Sequence, residues 1–598
     1  MQKYSVNQYP VSTILSWVQA KEIAIPEIQR PFVWDTTKVR DLLDSLYQGY
    51  PIGYIIAWKN PNVRLRDGSI SEGKKVLIDG QQRITALRAA ILGESVIDSE
   101  YKERRIYIAF NPTTEKFETQ TPAIKKDPLW IPDISLLMHR EGGLFDAVRE
   151  YCERNAQADR RATEQSIERL LAIKNNPVGF IELEADLEIE SVTEIFIRIN
   201  SQGVPLSQSD FAMSKIASYE GGDNFGVNLR KCIDYFCHLA REPQFYRHIS
   251  ENDPGFAHTV YLPKISWLKD ENDDLYDPDY SDVLRVSFTK EFERGKMSEL
   301  VSLLSGRNFE TRRFEQAVVE ESFQKLQKGV LDFVNQTHFK RFLMIINSCG
   351  YISSNLIRSK NVLNFAYALY LKLRDHGMND ALIEKYVRRW FVMSQLTGRY
   401  SGSAETMFDA DIKSISRRGI ENYLKSIEEA QLSEAFWNVG LVESLDTATS
   451  HSPFANLFFA AQVRAGDKGF LSSDITVTDM ITHRGDIHHL FPKEYLKTQY
   501  KSRREYNQIA NFVYAQTEVN IKIGKKAPED YFQEVLEQCR KRKPKYGGII
   551  DEKEIYKNLE AHCIPREVTN MTLDDYPHFL AERRRLMAKK IEEYYKGL

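Results

Sequence analysis

The chain has 598 residues, 42% of them hydrophobic and 28% charged, with a formal net charge of −3. That length exceeds what one core organises, so roughly two to four domains are expected, and the near-neutral balance excludes a basic field over the whole molecule. No run of about 18 apolar residues occurs, and the first residues lack a signal peptide's apolar core and cleavage site. The expectation is therefore a cytoplasmic protein without a membrane span.

In chain order, residues 1 to about 220 read as mixed α/β. "TTKVRDLLDSLYQGYPIGYIIAWK" predicts a helix with Val39, Leu42, Leu43 and Leu46 on one face, stopped at Gly49 and Pro51 and followed by a strand. "KVLIDGQQRITALRAAILGE" predicts a short strand, Val76-Leu77-Ile78, turning at Gly80 into a helix with Ile84, Leu87 and Ile91 on its apolar face. "RRIYIAFNP" reads as a further strand. Residues 225 to about 430 read as mostly helical, with "VLNFAYALYLKLRDHG" and "ALIEKYVRRWFVMSQLTG" as long periodic stretches and 270–282 as a charged loop. From about 435 the chain mixes short strands and loops before a closing helix, "FLAERRRLMAKKIEEYYKG". Cys152, Cys232, Cys237, Cys349, Cys539 and Cys563 are scattered, with no CxxC pair, and read as reduced thiols.

Charge is uneven. Residues 481–598 carry 23 Lys+Arg against 18 Asp+Glu, a surplus of +5, while the remainder carries 58 against 66, or −8. "KSRR" at 501, "KRKPK" at 541 and "ERRR" at 582 concentrate the positive charge, which reads equally as a nucleic-acid footprint and as a solvated surface.

Three N-terminal stretches share a composition. The first turn of the helix after Gly80 offers unpaired N–H groups and a positive dipole end to an anion. Arg83 adds a fork of donors suited to phosphate, and Gln81 and Gln82 add neutral donors and acceptors. Asp79 reads as a helix cap, or as a group facing a metal or a ribose hydroxyl; an ordinary capped helix with an exposed arginine is the plain alternative. "IPEIQRPFVWD" sets Gln29 and Arg30 before Pro31, among aromatic residues, as in a pocket wall. "FIRINSQGVPLSQSDF" places Arg198 and Asn200 at the end of a strand, then a turn at Gly203 and a helix cap at Ser207 or Ser209. Arginines and amides gathered at loop ends favour phosphates or a nucleic-acid backbone.

At these residues the chain resembles the N-terminal domain of the GmrSD-type, modification-dependent (type IV) restriction endonucleases, a family with SspE-like and BrxU-like members. The resemblance implies a ParB/sulfiredoxin-like α/β domain whose Asp-Gly-Gln-Gln-Arg motif takes a nucleoside triphosphate (GTP, UTP, CTP or ATP). It assigns Asp79, Gly80, Gln81, Gln82 and Arg83 to that site, Gln29 and Arg30 beside it, and Arg198 and Asn200 to a second loop. "TGRYSGSAETMFDADI" (397–412) resembles a segment of the family's helical region.

"GDIHHLFPKEYL" (485–496) has adjacent histidines, followed by Asn511 and, nine residues later, Asn520. Phosphodiester hydrolysis needs a base for water near neutral pH, which histidine supplies, and a divalent ion to take charge on the phosphate. An Asn carbonyl is among the oxygen ligands that hold such an ion. The arrangement resembles the HNH (ββα-metal) nuclease module, also found in CRISPR effector nucleases. The resemblance implies His489 as general base, Asn511 as the holder of the loop, and Asn520 as metal ligand. His488 falls in the slot where an Asp commonly binds the metal, which favours manganese over magnesium, and Asp486 is a further candidate ligand. Lys522, Lys525 and Lys526 are candidates for DNA phosphates.

The expected architecture is thus an α+β multidomain chain: a ParB-like nucleotide-binding and modification-sensing domain over 1–222, a helical region over 223–432, and an HNH endonuclease domain over 433–598. The expected partners are modified, double-stranded phage DNA and a nucleoside triphosphate, with Mg2+ or Mn2+ at the HNH site, in a monomer or a homodimer. The rival readings are a ParB-like, nucleotide-dependent DNA-binding protein with a structural HNH-like end, and a nickase that senses phosphorothioate linkages.

Overall fold

A computed structural model describes residues 3–20, 22–24, 32, 34–59, 75–97, 103–138, 143–184, 207–217, 219, 225–271, 275–313, 315–449, 452–483 and 485–598. The chain is mixed α/β and mostly helical, with small sheets. It divides into two compact units, Met1–Leu262 with Val301–Val319, and Pro263–Leu300 with Glu320–Leu598.

The first unit is built on a five-stranded sheet. Its strands are β1 (Tyr4–Pro10), β2 (Ile23–Ala24), β3 (Tyr54–Lys59), β4 (Lys75–Asp79) and β5 (Pro177–Leu183), in the spatial order β1-β5-β3-β4-β2. β1 pairs antiparallel with β5, from Tyr4 opposite Leu183 to Pro10 opposite Pro177, and β5 runs parallel to β3. β3 pairs antiparallel with β4 through a bulge between Ile56 and Ala57.

Helices α1 (Val11–Gln19), α2 (Thr36–Tyr47) and α3 (Gln81–Leu87) bury apolar faces in the core of this unit. In α2 the buried residues include Val39, Leu42, Leu43 and Leu46, at the spacing the sequence showed. Its start is fixed by Asp35, whose carboxylate accepts from the Lys38 N–H at 2.8 Å. Gly49, at φ 74°, follows its end. Ile84, Leu87 and Ile91 are all fully buried, but the helix widens where a plain α-helix was expected: after Leu87 the chain continues as a π-helical turn, Arg88–Leu92. The strand expected in "RRIYIAFNP" is confined to Ile108–Asn111, paired with Lys116–Thr119.

The second unit begins with helices. α4 (Tyr280–Phe292), α5 (Lys360–Asp375), α6 (Asp380–Leu396), α7 (Ala404–Arg418) and α8 (Ile420–Gln431) enclose a large aromatic core. The segment 397–412 ends here in a buried ion pair. Asp411, with no exposed surface, accepts from Arg399 Nε at 2.7 Å, Tyr400 Oη at 2.8 Å and Tyr423 Oη at 2.9 Å. A buried carboxylate is tolerable when so fully bonded, and this one ties α7 and α8 to the turn that follows α6. The unit closes with a two-stranded antiparallel hairpin, β6 (Asp486–His489) and β7 (Phe512–Ala515), then α9 (Thr517–Ile523), α10 (Pro528–Lys541) and α11 (Tyr576–Lys596). Among the described residues no helix is long and apolar enough to cross a membrane. All six cysteines are free thiols, five of them buried.

Candidate active site

At the first candidate site, Gly80 sits at φ 100°, a conformation that costs a side chain dearly. A Cβ there would also fall 3.0 Å from Ile55 Cγ1. Gly80 occupies the cap position of α3 itself, without a side-chain hydrogen bond, so Asp79 does not cap the helix. Its carboxylate instead accepts from Arg83 Nη2 at 2.6 Å, and Arg83 Nη1 donates to Ile52 O at 3.3 Å. Gly53 makes room for that guanidinium, since a Cβ there would meet Arg83 Nη1 at 2.5 Å. The ion pair is partly exposed, and two of the five guanidinium N–H donors are committed to it and to the carbonyl. Gln81 is buried and Gln82 half-buried. Gln29, Arg30, Arg198 and Asn200 lie outside the described residues. Ser207 caps the helix Gln208–Ala217, its hydroxyl accepting from the Asp210 N–H at 3.2 Å.

The second candidate site is the hairpin. Successive side chains on a strand point to opposite faces, so His488 and His489 diverge. His488 is buried, and its Nδ1 lies 2.7 Å from Asn520 Oδ1 on α9. An amide oxygen only accepts, so Nδ1 carries the proton in this pairing. The ring's Nε2 is buried without a hydrogen-bond partner. Burial pushes His488 down to about 4, although Asn520 opposes that shift and His489 reinforces it.

His489 is held from the other side. Its Nε2 lies 3.1 Å from Asn507 Oδ1, and Asn507 Nδ2 donates to Ala448 O at 3.2 Å. The carbonyl of Ala448 fixes which end of the amide faces the ring. His489 therefore donates from Nε2, and its Nδ1 keeps the lone pair. Burial lowers its pKa, opposed by Asn507 and helped by Lys493. Both rings are accordingly neutral at pH 7. Asn507 was not singled out by the sequence.

Asn511 is fully buried and bonds twice to Phe491, accepting from its N–H at 2.8 Å and donating to its carbonyl at 2.9 Å. It thus clamps the segment leaving β6. Arg583 was read as part of a surface charge run, but it is fully buried. It donates to Ala510 O at 2.7 Å and Phe512 O at 2.8 Å, bracing the start of β7. Its neighbours pair on the surface, Arg584 with Asp446 and Arg585 with Glu582.

Two of these donors stand close enough together to meet a divalent ion. Octahedral ligands about 2.1 Å from a small divalent ion stand about 3 Å from one another. The 2.7 Å between His488 Nδ1 and Asn520 Oδ1 is close to that, so the pair could take a cation with the ring in its other tautomer, its proton on the unpartnered Nε2. Asp486 lies two residues earlier on the same strand, hence on the face of His488. Among the described residues, the three-carboxylate cluster is elsewhere, at Glu291, Asp332 and Asp375. Lys290 and Lys328 already neutralise it.

Residues 11–217 match the family model for the GmrSD restriction endonuclease, N-terminal domain. The matched segment covers four of the five strands of the sheet, β2 to β5, and the turn at Gly80. Over its whole length the chain is also similar to the uncharacterized protein MJ0686 of Methanocaldococcus jannaschii. The two are 22% identical over 628 residues, covering 96% of each chain.

Proposed function

We propose that the protein is a nucleoside-triphosphate-dependent DNA endonuclease of a type IV restriction system. In this reading the N-terminal unit binds a nucleotide at the Gly80 turn and senses modified DNA, and an HNH module built on the hairpin and α9 cleaves. The observation that carries the nuclease reading is the contact between His488 and Asn520. Two residues 32 apart in sequence meet at ligand distance, beside a second histidine whose tautomer is fixed.

His489 Nδ1, neutral and carrying its lone pair, takes the proton of the attacking water. Asn507 holds the other nitrogen protonated, so the base has one orientation and one basic atom. His488 and Asn520, with Asp486 in reach along the strand, would hold a Mg2+ or Mn2+ ion, which supplies charge stabilisation at the scissile phosphate. Asn511 and Arg583 brace the end of β6 and the start of β7.

At the first site, Arg83 is pre-oriented by Asp79 and Ile52 O, with N–H donors to spare for phosphate. A triphosphate there would draw on those donors and on the first-turn N–H groups of α3. The test is divalent-dependent nicking of supercoiled plasmid by the wild type and by His489→Ala, with triphosphate hydrolysis measured in the same preparations.

A further inference from the structure

We infer that the segment Arg540–Lys545, the end of α10 and the loop after it, is a preformed grip for the phosphodiester backbone of DNA next to the cleavage site; this rests on the nuclease reading above. Five of its six residues are cationic, and all six are exposed. Exposed lysines alone would mean little, but this loop is fixed rather than free. Buried Gln538 accepts from the N–H groups of Lys545 at 2.9 Å and Tyr546 at 2.8 Å, and donates to Ile549 O at 2.6 Å. Gly547, at φ 60°, lets the chain press against Leu471, where a Cβ would fall 1.9 Å from its carbonyl oxygen.

The loop is also tied to α9. Lys522 Nζ donates to Lys545 O at 3.0 Å, and Lys522 stands two residues beyond Asn520. Between Asn520 and Tyr546 the chain carries eight cations (Lys522, Lys525, Lys526, Arg540, Lys541, Arg542, Lys543 and Lys545) and four acids. Glu534 and Glu537 engage Lys526, Lys545 and Lys541. Glu529 and Asp530 sit in the first turn of α10, about 16 Å along its axis from Lys541. Among the described residues, Arg540, Arg542 and Lys543 make no ion pair.

The backbone supplies an independent pointer. Arg542 follows the end of α10 at φ 50°, in the left-handed region. Glycine or asparagine is the low-cost choice at that position. Exposed and without an ion pair, the arginine held at this turn is placed to meet an anion. Its planar fork suits a phosphate, and its neighbours extend the contact along the strand.

The test is binding of a fluorescein-labelled 30-base-pair duplex to the full chain in chelator, from 50 to 200 mM KCl. Joint Arg540→Glu, Arg542→Glu and Lys543→Glu should flatten the dependence of log K on log salt by about 2.7, near 0.9 for each lost phosphate. Arg417→Glu, Arg418→Glu and Lys425→Glu, on α7 and α8, should leave the slope within about 0.5 of wild type, by the same relation. The single variant Arg542→Gly separates function from folding: its melting temperature should hold or rise while the slope falls by about 0.9. An unchanged slope in the triple or single variant, or equal losses in both triple variants, overturns the proposal. If the loop variants behave as expected while His489→Ala still nicks DNA at the wild-type rate, the grip stands and the nuclease reading falls. A chain that does not bind duplex at all refutes the grip.

Discussion

Asn507 reaches His489 across 18 residues, and the contact of 3.1 Å between His489 Nε2 and Asn507 Oδ1 decides which ring nitrogen can take a proton. Because Ala448 O anchors the other end of the amide, Asn507 cannot flip to offer a donor without losing that bond. Asn507→Ala should lower the nicking rate by about 3- to 10-fold, the worth of one hydrogen bond of 0.5–1.5 kcal/mol. Single-turnover nicking with saturating metal checks this; a rate equal to wild type would show that the tautomer is fixed by something else.

Asn507→Asp tests the same contact by pH. Burial depresses His489, so its base form persists as the pH falls below the ordinary histidine range. A carboxylate beside Nε2 favours the imidazolium and raises that pKa. Activity needs the neutral ring, so it is lost as pH falls through the pKa, and the acid limb of the rate profile should move to higher pH in Asn507→Asp. A limb that stays in place, or moves down, contradicts His489 as the titrating base.

The metal preference follows from His488. Imidazole is a poorer magnesium ligand than carboxylate, so manganese should support faster nicking than magnesium in the wild type. His488→Asp should shift the ratio of the two rates toward magnesium, even where burying a carboxylate lowers both. Asn520→Ala should weaken activity in either ion. Titration of each ion against initial rate decides the point, and an unaltered ratio in His488→Asp removes His488 from the ligand set.

At the Gly80 turn, Arg83→Ala should weaken triphosphate binding by about 10- to 150-fold, from the loss of charge-assisted hydrogen bonds worth roughly 1.5–3 kcal/mol. The Asp79 pair is partly exposed and contributes at most about 1 kcal/mol to stability, so the variant should remain folded. Gly80→Ala should behave in the opposite way, losing stability through its φ of 100° and the approach to Ile55. Calorimetric titration with each triphosphate, beside thermal melts, separates the two; Arg83→Ala with unchanged affinity would mean that the turn is only a turn.

Much of this was legible in the sequence, and the reasons for the rest are physical. α2 could be read because four periodic apolar residues and Gly49 act locally, although its cap at Asp35 was missed. The glycine at 80 could be read because a strand running straight into a helix demands a tight turn. The sheet order could not, since β1 finds its partner β5 more than 160 residues away and no local pattern records that pairing. His488, His489, Asn511 and Asn520 carried a spacing, whereas Asn507 carried none: its role arises only when the loop closes on Ala448. Arg583 had a signal that the charge run hid. It lies four residues after Phe579 and four before Met587, on the buried face of α11, so its spacing put it on the apolar stripe although arginine is seldom fully buried.

The central claim is that His489 is the base of a metal-dependent DNA nuclease. Its most direct test is the initial rate of supercoiled-plasmid nicking in manganese, comparing wild type with His489→Ala that keeps its melting temperature and its triphosphate hydrolysis. The expected result is a fall of about 10²- to 10⁴-fold. Nicking by His489→Ala within tenfold of wild type, or no metal-dependent nicking by the wild type on any modified or unmodified DNA, would contradict it.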